Sequence, residues 1–139
     1  MKRLFLGVFV AILSFAIGFL IAPIRFVPQG SGIGATPDLK HTCHFVPYES
    51  SYLERVVLWF CVYDNEAEAL QALAQEGENY HTLSSTERRL VVSYSVDGEI
   101  GYCLLRADGR RVTSICSRSF RHIFALEQQK NAEGLFNGY

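Results

Sequence analysis

The sequence lacks the short motifs that mark the common catalytic and cofactor sites. Its four cysteines include no CxxC and no CxxCH pair, which argues against thioredoxin-type redox chemistry and c-type haem attachment. No nucleophile elbow is present, and the GSGIG run at 30–34 follows no predicted strand, so it is not a phosphate loop. No cysteine precedes Cys43, which argues against a lipoprotein anchor. We therefore expect a protein with no catalytic activity, no cofactor and no metal.

The sequence also lacks an excess of charge of either sign, since its formal net charge is −1. The charge is unevenly distributed: residues 38–80 carry eight acidic and two basic side chains, whereas 81–130 carry five acidic and eight basic ones. This pattern predicts a bipolar domain rather than a polyanion binder, and we expect no nucleic-acid partner.

The largest feature present is an apolar run from Leu4 to Ile24, whose 21 residues contain no charge. A helix of that length spans roughly 31 Å, which matches a hydrocarbon core of roughly 30 Å. We predict a membrane anchor over residues 1–27. Lys2 and Arg3 precede the run, so the positive-inside bias favours a cytoplasmic N-terminus and an extracytoplasmic, for example periplasmic, domain.

A cleaved signal peptide is the alternative interpretation of this run, because a basic segment precedes it. The run is longer than the usual apolar region of such a leader, and no small-x-small site lies just beyond its end. If the anchor is retained, small residues share one helical face that favours close packing against another membrane helix. They are Gly7, Ala11, Ser14, Gly18 and Ala22.

Residues 28–40 are rich in glycine and proline and predict a flexible spacer. The exported domain is then expected over 41–130, followed by a tail over 131–139. Apolar residues recur in the tail, at Leu135, Phe136 and Tyr139, which predicts docking on the domain or on another chain.

The exported domain reads as an α+β, two-layer fold with a mainly antiparallel sheet and the order β-α-β-β-β-α. Residues 55–63 predict a central strand, because all of them after Arg55 are apolar and many are β-branched or aromatic. A helix capped by Asn65 follows and is expected to stop at Gly77. Its predicted apolar stripe is Ala67, Leu70, Leu73 and Ala74. A final helix over 120–130 is expected to turn Ile123, Phe124 and Leu126 inward.

Two hairpins are predicted between these helices. Asp97-Gly98 is a type I′ turn dipeptide and sets Val92 opposite Cys103. Asp108-Gly109 is expected to be the second turn, which sets Cys103 opposite Ser114. Because side chains alternate between the two faces of a sheet, these strands place one set of residues on the face that should pack on the helix after Asn65. It comprises Leu90, Val92, Tyr94, Cys103, Leu105, Val112 and Cys116.

All four cysteines follow the anchor, and we expect one or two structural disulfides among them. They are Cys43, Cys61, Cys103 and Cys116. In the predicted register Cys103 and Cys116 are diagonal neighbours, about 7–8 Å apart, which is beyond easy disulfide reach. Three possibilities therefore remain: one strand contains a bulge, each cysteine pairs elsewhere, or both are buried thiols. Cys61 fits a buried core thiol as well as it fits a disulfide partner.

His41, Cys43 and His44 form the densest group of metal-ligating side chains. A zinc or copper site would need further ligands from distant segments, such as His81 or His122. A disulfide cysteine with two solvated histidines is the simpler interpretation. A Cys–His catalytic pair has no third orienting group in the sequence.

Basic side chains cluster in the second half of the domain. They could form a patch for a lipid head group, an acidic glycan or a partner protein. They are Arg106, Arg110, Arg111, Arg118 and Arg121. A solvated hairpin tip and helix start is the simpler interpretation.

The segment Val56–Ser95 resembles the SPOR glycan-binding domain, which is itself often tethered by one membrane helix. The resemblance rests on an apolar strand, an Ala/Leu helix (AEALQAL) and a terminating glycine. It implies a scaffold only, because the chain then departs from the SPOR order with three consecutive strands.

Three hypotheses follow for the function. The first is a non-catalytic accessory or assembly subunit that binds an integral membrane protein or a second copy of itself. The second is a membrane-tethered binding module for an anionic envelope ligand, a glycan or a lipid head group. The third is a thiol or metal enzyme.

Overall fold

A computed structural model describes residues 24–30, 32–34 and 43–136 of the chain, the side chains of 32–34 excepted. Ten helices and strands lie in these ranges: β1 (Phe26–Pro28), β2 (Gly32–Gly34), β3 (Cys43–Ser50), β4 (Arg55–Val62), α1 (Glu66–Glu78), β5 (His81–Ser85), β6 (Arg89–Val96), β7 (Glu99–Asp108), β8 (Arg111–Ser117) and α2 (Phe120–Ala132). Neither helix in the described ranges is long and apolar enough to cross a bilayer. The five small residues predicted to form the anchor's packing face lie outside the described residues.

The strands form one antiparallel sheet in the order β1-β3-β4-β8-β7-β6-β5, and β2 also pairs with β3. Helix α1 carries the chain from β4 to the far edge at β5, and the next three strands return by tight connections to β4. The α+β class with an antiparallel sheet and two helices is confirmed, but the predicted order missed β1, β2, β3 and β5. Strand β5 reads HTLSS and is exposed throughout, so no apolar alternation marks it.

Strands β1 and β2 follow one another along the same edge of β3. Pro28 pairs with Tyr48 and Gly32 with Phe45, so the edge carries one residue more than β3 between these two pairs. Pro47 lies opposite this interruption, and its carbonyl accepts from the backbone amide of Gln29 at 2.8 Å. Among the described residues the sheet therefore begins at Phe26, so residues 26 and 27 of the predicted anchor lie in a strand, and the segment predicted as spacer from residue 28 contributes to the sheet at Pro28 and at 32–34.

Helix α1 packs on one face of the sheet. Asn65 caps it, and its side chain accepts from the backbone amide of Glu68 at 2.9 Å, as predicted. The predicted sheet face is confirmed, since its members pack with Ala69 and Leu73 of α1 in one core cluster. The stripe was wrong in part, because Ala67 and Ala74 are exposed. Gly77 does not end the helix: it is buried inside it, where an added Cβ would lie 2.6 Å from Leu90 Cδ1.

Helix α2 packs on the opposite face, over a second core cluster that includes Leu58, Leu104 and Ile115. The domain therefore has three layers, not the predicted two, because residues 104 and 105 of β7 alternate between two separate cores. Ile123 and Leu126 point inward as predicted, whereas the side chain of Phe124 is 36% exposed.

The strand register defines two ends of the sheet. The proximal end is where the chain enters β1 at Arg25; it holds the loop 51–54, the turn 97–98 and the start of α2. The distal end holds the turn 109–110, the start of α1 and the tail at 133–136.

Candidate interaction surface

The second hairpin turns one residue later than predicted. Asp108 pairs with Arg111, so Gly109 and Arg110 form the two-residue connection. Gly109 has φ 59° and Arg110 does not have a positive φ, which suits a turn with glycine at its first central position. Asp97 and Gly98 both have positive φ, as the predicted type I′ turn of the first hairpin requires.

The shifted turn moves the register by two residues and decides the cysteine pairing. Cys103 lies directly opposite Cys116, not opposite Ser114, and their Cα atoms are 4.1 Å apart. The expectation of a diagonal pair was therefore wrong, and a disulfide joins the two. A second disulfide joins Cys43 to Cys61 across β3 and β4, with Cα atoms 4.2 Å apart. No free cysteine occurs among the described residues.

Both disulfides lie on the α1 side of the sheet. Cys103 belongs to the core cluster that packs on α1, Cys116 packs against that cluster, and Cys61 pairs with Val112, which belongs to the same cluster. Helix α1 packs mainly against β5, β7 and β8. The β3–β4 part of this face carries Phe45, Val57 and Trp59, which are half-buried and belong to neither core cluster. The Phe45 and Trp59 rings meet edge to face at 5.7 Å. The Trp59 indole donates to Cys61 Sγ at 3.1 Å, which orients the ring beside the disulfide.

A groove continues this surface toward β5 and β6. Its volume is about 650 Å³, and its lining includes Tyr80, Tyr94 and the Cys103–Cys116 disulfide. The two tyrosine rings are 6.3 Å apart, and the ring of Tyr94 lies over Gly101, where any larger residue would collide with it. Because Cys116 pairs with Val57, the groove and the Trp59 region adjoin each other.

We call these five residues together the aromatic surface: Phe45, Val57, Trp59, Tyr80 and Tyr94. Burial, and then the nearby Glu76 carboxylate, raises the pKa of Tyr80, so its hydroxyl stays protonated at neutral pH and can donate or accept a hydrogen bond. The arrangement can supply ring stacking, apolar contact and a few hydrogen bonds. The sequence prediction placed Tyr94 on the sheet face toward α1 but named none of the five as part of a contact surface, although alternation in β3 and β4 places 45, 57 and 59 on one face.

The arginines that the sequence groups together lie at two ends of the sheet. At the distal end Arg106 donates to both oxygens of Asp108, at 2.6 and 2.7 Å, and to Glu127 at 3.3 Å. Arg111 is buried there, whereas Arg110 is exposed. Arg118 and Arg121 lie at the proximal end, about seven strand residues away from Arg111. The five arginines therefore do not form one continuous patch.

The tail folds back on the distal end. Phe136 is buried with its ring under the Arg106 guanidinium, whose carbon is 3.7 Å from the ring centroid. The backbone carbonyl of Leu135 accepts a hydrogen bond from Arg111, and Leu135 packs on the α2-side core. Tyr139 lies outside the described residues. The guanidinium groups of Arg106 and Arg111 thus contact the tail of the same chain.

The residues considered for a metal site do not converge where the structure describes them. Cys43 is in a disulfide, and His44 stacks on Phe60 with ring centroids 4.8 Å apart. His122 lies on α2, His81 lies at the groove, and His41 falls outside the described residues. Within the described part of the chain, no group of three His, Cys, Asp or Glu side chains could hold a metal ion.

Comparison of the chain with known protein families, with curated proteins and with solved structures finds no match.

Proposed function

We propose that the chain is a single-pass, membrane-anchored accessory or assembly subunit of a membrane protein complex, with no catalytic role. Its N-terminus would be cytoplasmic and its domain extracytoplasmic. The aromatic surface is the observation that carries this proposal. Half-buried aromatic side chains that lie beside a core, rather than in it, are typical of protein–protein contact sites.

The disulfides support this assignment in two ways. Two disulfide bonds suit an extracytoplasmic, oxidising compartment. Both lie on the side of the sheet that carries the aromatic surface. They also join β4, which carries Val57 and Trp59, to β3, and join β8, the other neighbour of β4, to β7, so the surface is held in shape before a partner arrives. A preorganised surface loses less conformational entropy on binding.

The distribution of the arginines favours a protein partner over an anionic envelope ligand. Arg106 is engaged by two carboxylates and by the ring of Phe136. Arg111 is buried and donates to the tail. An anionic ligand bound at Arg106 or Arg111 would have to displace these contacts, and the three exposed arginines lie apart, Arg110 at the distal end and Arg118 and Arg121 at the proximal end. A protein partner can dock on the aromatic surface without changing the contacts of Arg106 and Arg111.

Photo-crosslinking from position 59 in native membranes tests the proposal. A photoreactive phenylalanine analogue at Trp59 should give a discrete protein adduct, and the same analogue at Phe45 should capture the same partner. Gln75, on the exposed side of α1, is the matched control and should give none.

Co-purification after mild detergent extraction provides the second measurement. The full chain should bring down the partner found by crosslinking, and Trp59→Ser should reduce its recovery at least fivefold with an unchanged melting temperature. A second copy of this chain as the adduct would identify a homo-oligomer. Recovery of a monomer with no adduct at either position would refute the proposal.

A further inference from the structure

The exposed apolar side chains of the domain are concentrated at the proximal end. Tyr52 and Leu53 lie in the loop between β3 and β4, and Val96 and Ile100 flank the turn between β6 and β7. Leu53 is the most exposed of them, at 81%. The register places both features at the same end of the sheet, on opposite sides of β8.

The same end holds the chain that leaves the predicted membrane span. Ile24, the last residue of the apolar run, packs on the α2-side core. Arg25 is then tied to the loop, because its carbonyl accepts from the Ser51 amide at 2.8 Å and its amide donates to Ser51 Oγ at 3.3 Å. Leu53 is two residues from Ser51, so at most about 7 Å of chain separates them. A bilayer entered just before residue 24 therefore lies close to Leu53.

The loop presents Leu53 in an unusual backbone conformation. Its φ is 59°, in the left-handed region that a bulky side chain rarely adopts. Three hydrogen bonds to Ser50 hold the loop in this conformation. The Ser50 hydroxyl accepts from the backbone amides of Tyr52 and Glu54, and the Ser50 carbonyl accepts from the backbone amide of Leu53. Exposed apolar side chains held in strained backbone often mark a contact that the isolated domain does not make.

Charges at the proximal end are mixed. Arg25, Arg55, Arg118 and Arg121 lie near Glu49, Glu54, Asp97 and Glu99. Arg121 also stacks over the ring of Tyr52, with 5.7 Å between the guanidinium carbon and the ring centroid. Tyrosine and arginine beside exposed leucine and isoleucine suit the interfacial zone of a bilayer. Because the charges balance, apolar contact rather than attraction to anionic lipid should dominate.

We propose that the proximal end is a membrane-docking surface, and that Tyr52, Leu53, Val96 and Ile100 enter the interfacial zone of the same bilayer that holds the anchor. The inference rests on the proposed membrane anchoring. The domain is then seated directly on the membrane, and its distal end, with the docked tail, points away from it. The aromatic surface stands upright along the side of the seated domain, where an integral membrane partner can reach it.

Spin-label accessibility on the full chain in neutral phosphatidylcholine liposomes tests this arrangement. A single cysteine at Leu53 can be labelled, since the described native cysteines are all in disulfides. The label should be at least fivefold more accessible to dissolved oxygen than to an aqueous nickel complex, relative to a label at Arg110 in the distal turn. Replacing half of the neutral lipid with anionic lipid should change this ratio less than twofold.

The outcomes separate this inference from the proposed function. If the chain fails to float with the liposomes, the anchor and the docking surface are both refuted. If the chain floats but the label at 53 is as water-accessible as the label at 110, only the docking surface is refuted.

A substitution provides the second test. With a label at Ile100, Leu53→Asp should raise water accessibility at least threefold. Leu53→Gly, which suits the positive φ, should raise it too, and should leave the melting temperature in detergent unchanged or higher. No change in accessibility at 100 with either variant would contradict a shared docking surface.

Discussion

The two ends of the sheet use arginine in different ways. At the distal end Arg106 and Glu127 have side chains that are 21% and 13% exposed, and Arg89 joins them through two hydrogen bonds at 2.9 and 3.2 Å. At the proximal end the side chains of Arg118 and Glu99 form an ion pair while 67% and 62% exposed. Partial burial turns the distal pairs into a fixed network that holds α2 and the tail to the sheet. The proximal pair is solvated and leaves its surroundings free to contact something else.

Each end of the sheet also has its own covalent clamp. Cys43–Cys61 lies toward the distal end and Cys103–Cys116 toward the proximal end. We therefore expect the two disulfides to contribute similarly to stability, and the ion pairs at the two ends to contribute unequally.

Removal of either disulfide should give the largest loss of stability. The pairs close loops of 18 and 13 residues, so a chain-entropy estimate gives about 3 kcal/mol for each. Cys43→Ser with Cys61→Ser, and Cys103→Ser with Cys116→Ser, should lower the free energy of unfolding by similar amounts. Urea unfolding of the full chain in detergent, followed by circular dichroism, measures this. Losses that differ by more than about 2 kcal/mol would show that strain or residual structure outweighs loop closure.

The ionic contrast between the ends predicts the next largest effect. Glu127→Gln should lower the free energy of unfolding by about 2 kcal/mol, because it leaves two half-buried guanidinium groups without their shared carboxylate. Glu99→Gln is the matched control and should change it by less than about 0.5 kcal/mol. The same urea titrations measure both variants. Equal losses of stability would mean that the difference in burial does not make the distal ion pairs more stabilising than the proximal one.

The smallest effect is a pH dependence at the proximal end. His122 is buried and makes edge-to-face contacts with the rings of Phe26 and Tyr52, and its Nδ1 lies 2.9 Å from Ser119 Oγ. Burial lowers the pKa of His122; the nearby Glu54 carboxylate raises this pKa by less, and Arg121 lowers it further. The unfolded chain then binds a proton at a higher pH than the folded chain does.

Stability should therefore fall as pH drops from above about 6.5 through the lowered pKa of the folded state. His122→Gln should flatten this part of the profile, because it removes the titrating group. Melting temperatures of both proteins between pH 8 and pH 5, in the same detergent, measure the difference. Parallel profiles would assign the acid sensitivity to another group.

Sequence patterns predicted local structure well where one element carries its own signal. The Asn65 cap, the Asp97-Gly98 turn and the face of β6 and β7 follow from neighbouring residues alone. The Asp108-Gly109-Arg110 turn was mispredicted because Gly109 fits either central position of a two-residue connection, and local sequence does not choose between them. One step at that turn moved the register by two residues. The error therefore kept every side chain on the predicted face but concealed the Cys103–Cys116 pair.

The candidate surface was less predictable than the fold. Trp59 falls in the predicted central strand, and Phe45 lies in β3, for which no strand was predicted. Apolar alternation does not say which part of a sheet face a helix will cover. Likewise, five arginines within sixteen residues read as one patch, although strand β8 carries the chain from one end of the sheet to the other between Arg111 and Arg118.

By itself the sequence determined the class of the domain, the face that α1 covers and an apolar segment long enough to span a bilayer. These properties depend on residue spacing along a single helix or strand. The tertiary structure alone decided which cysteines pair, which arginines are buried and which apolar side chains stay exposed beside the point where the chain enters the domain. These properties depend on how distant segments meet, because burial and pairing energies come from neighbours in space rather than from neighbours in sequence.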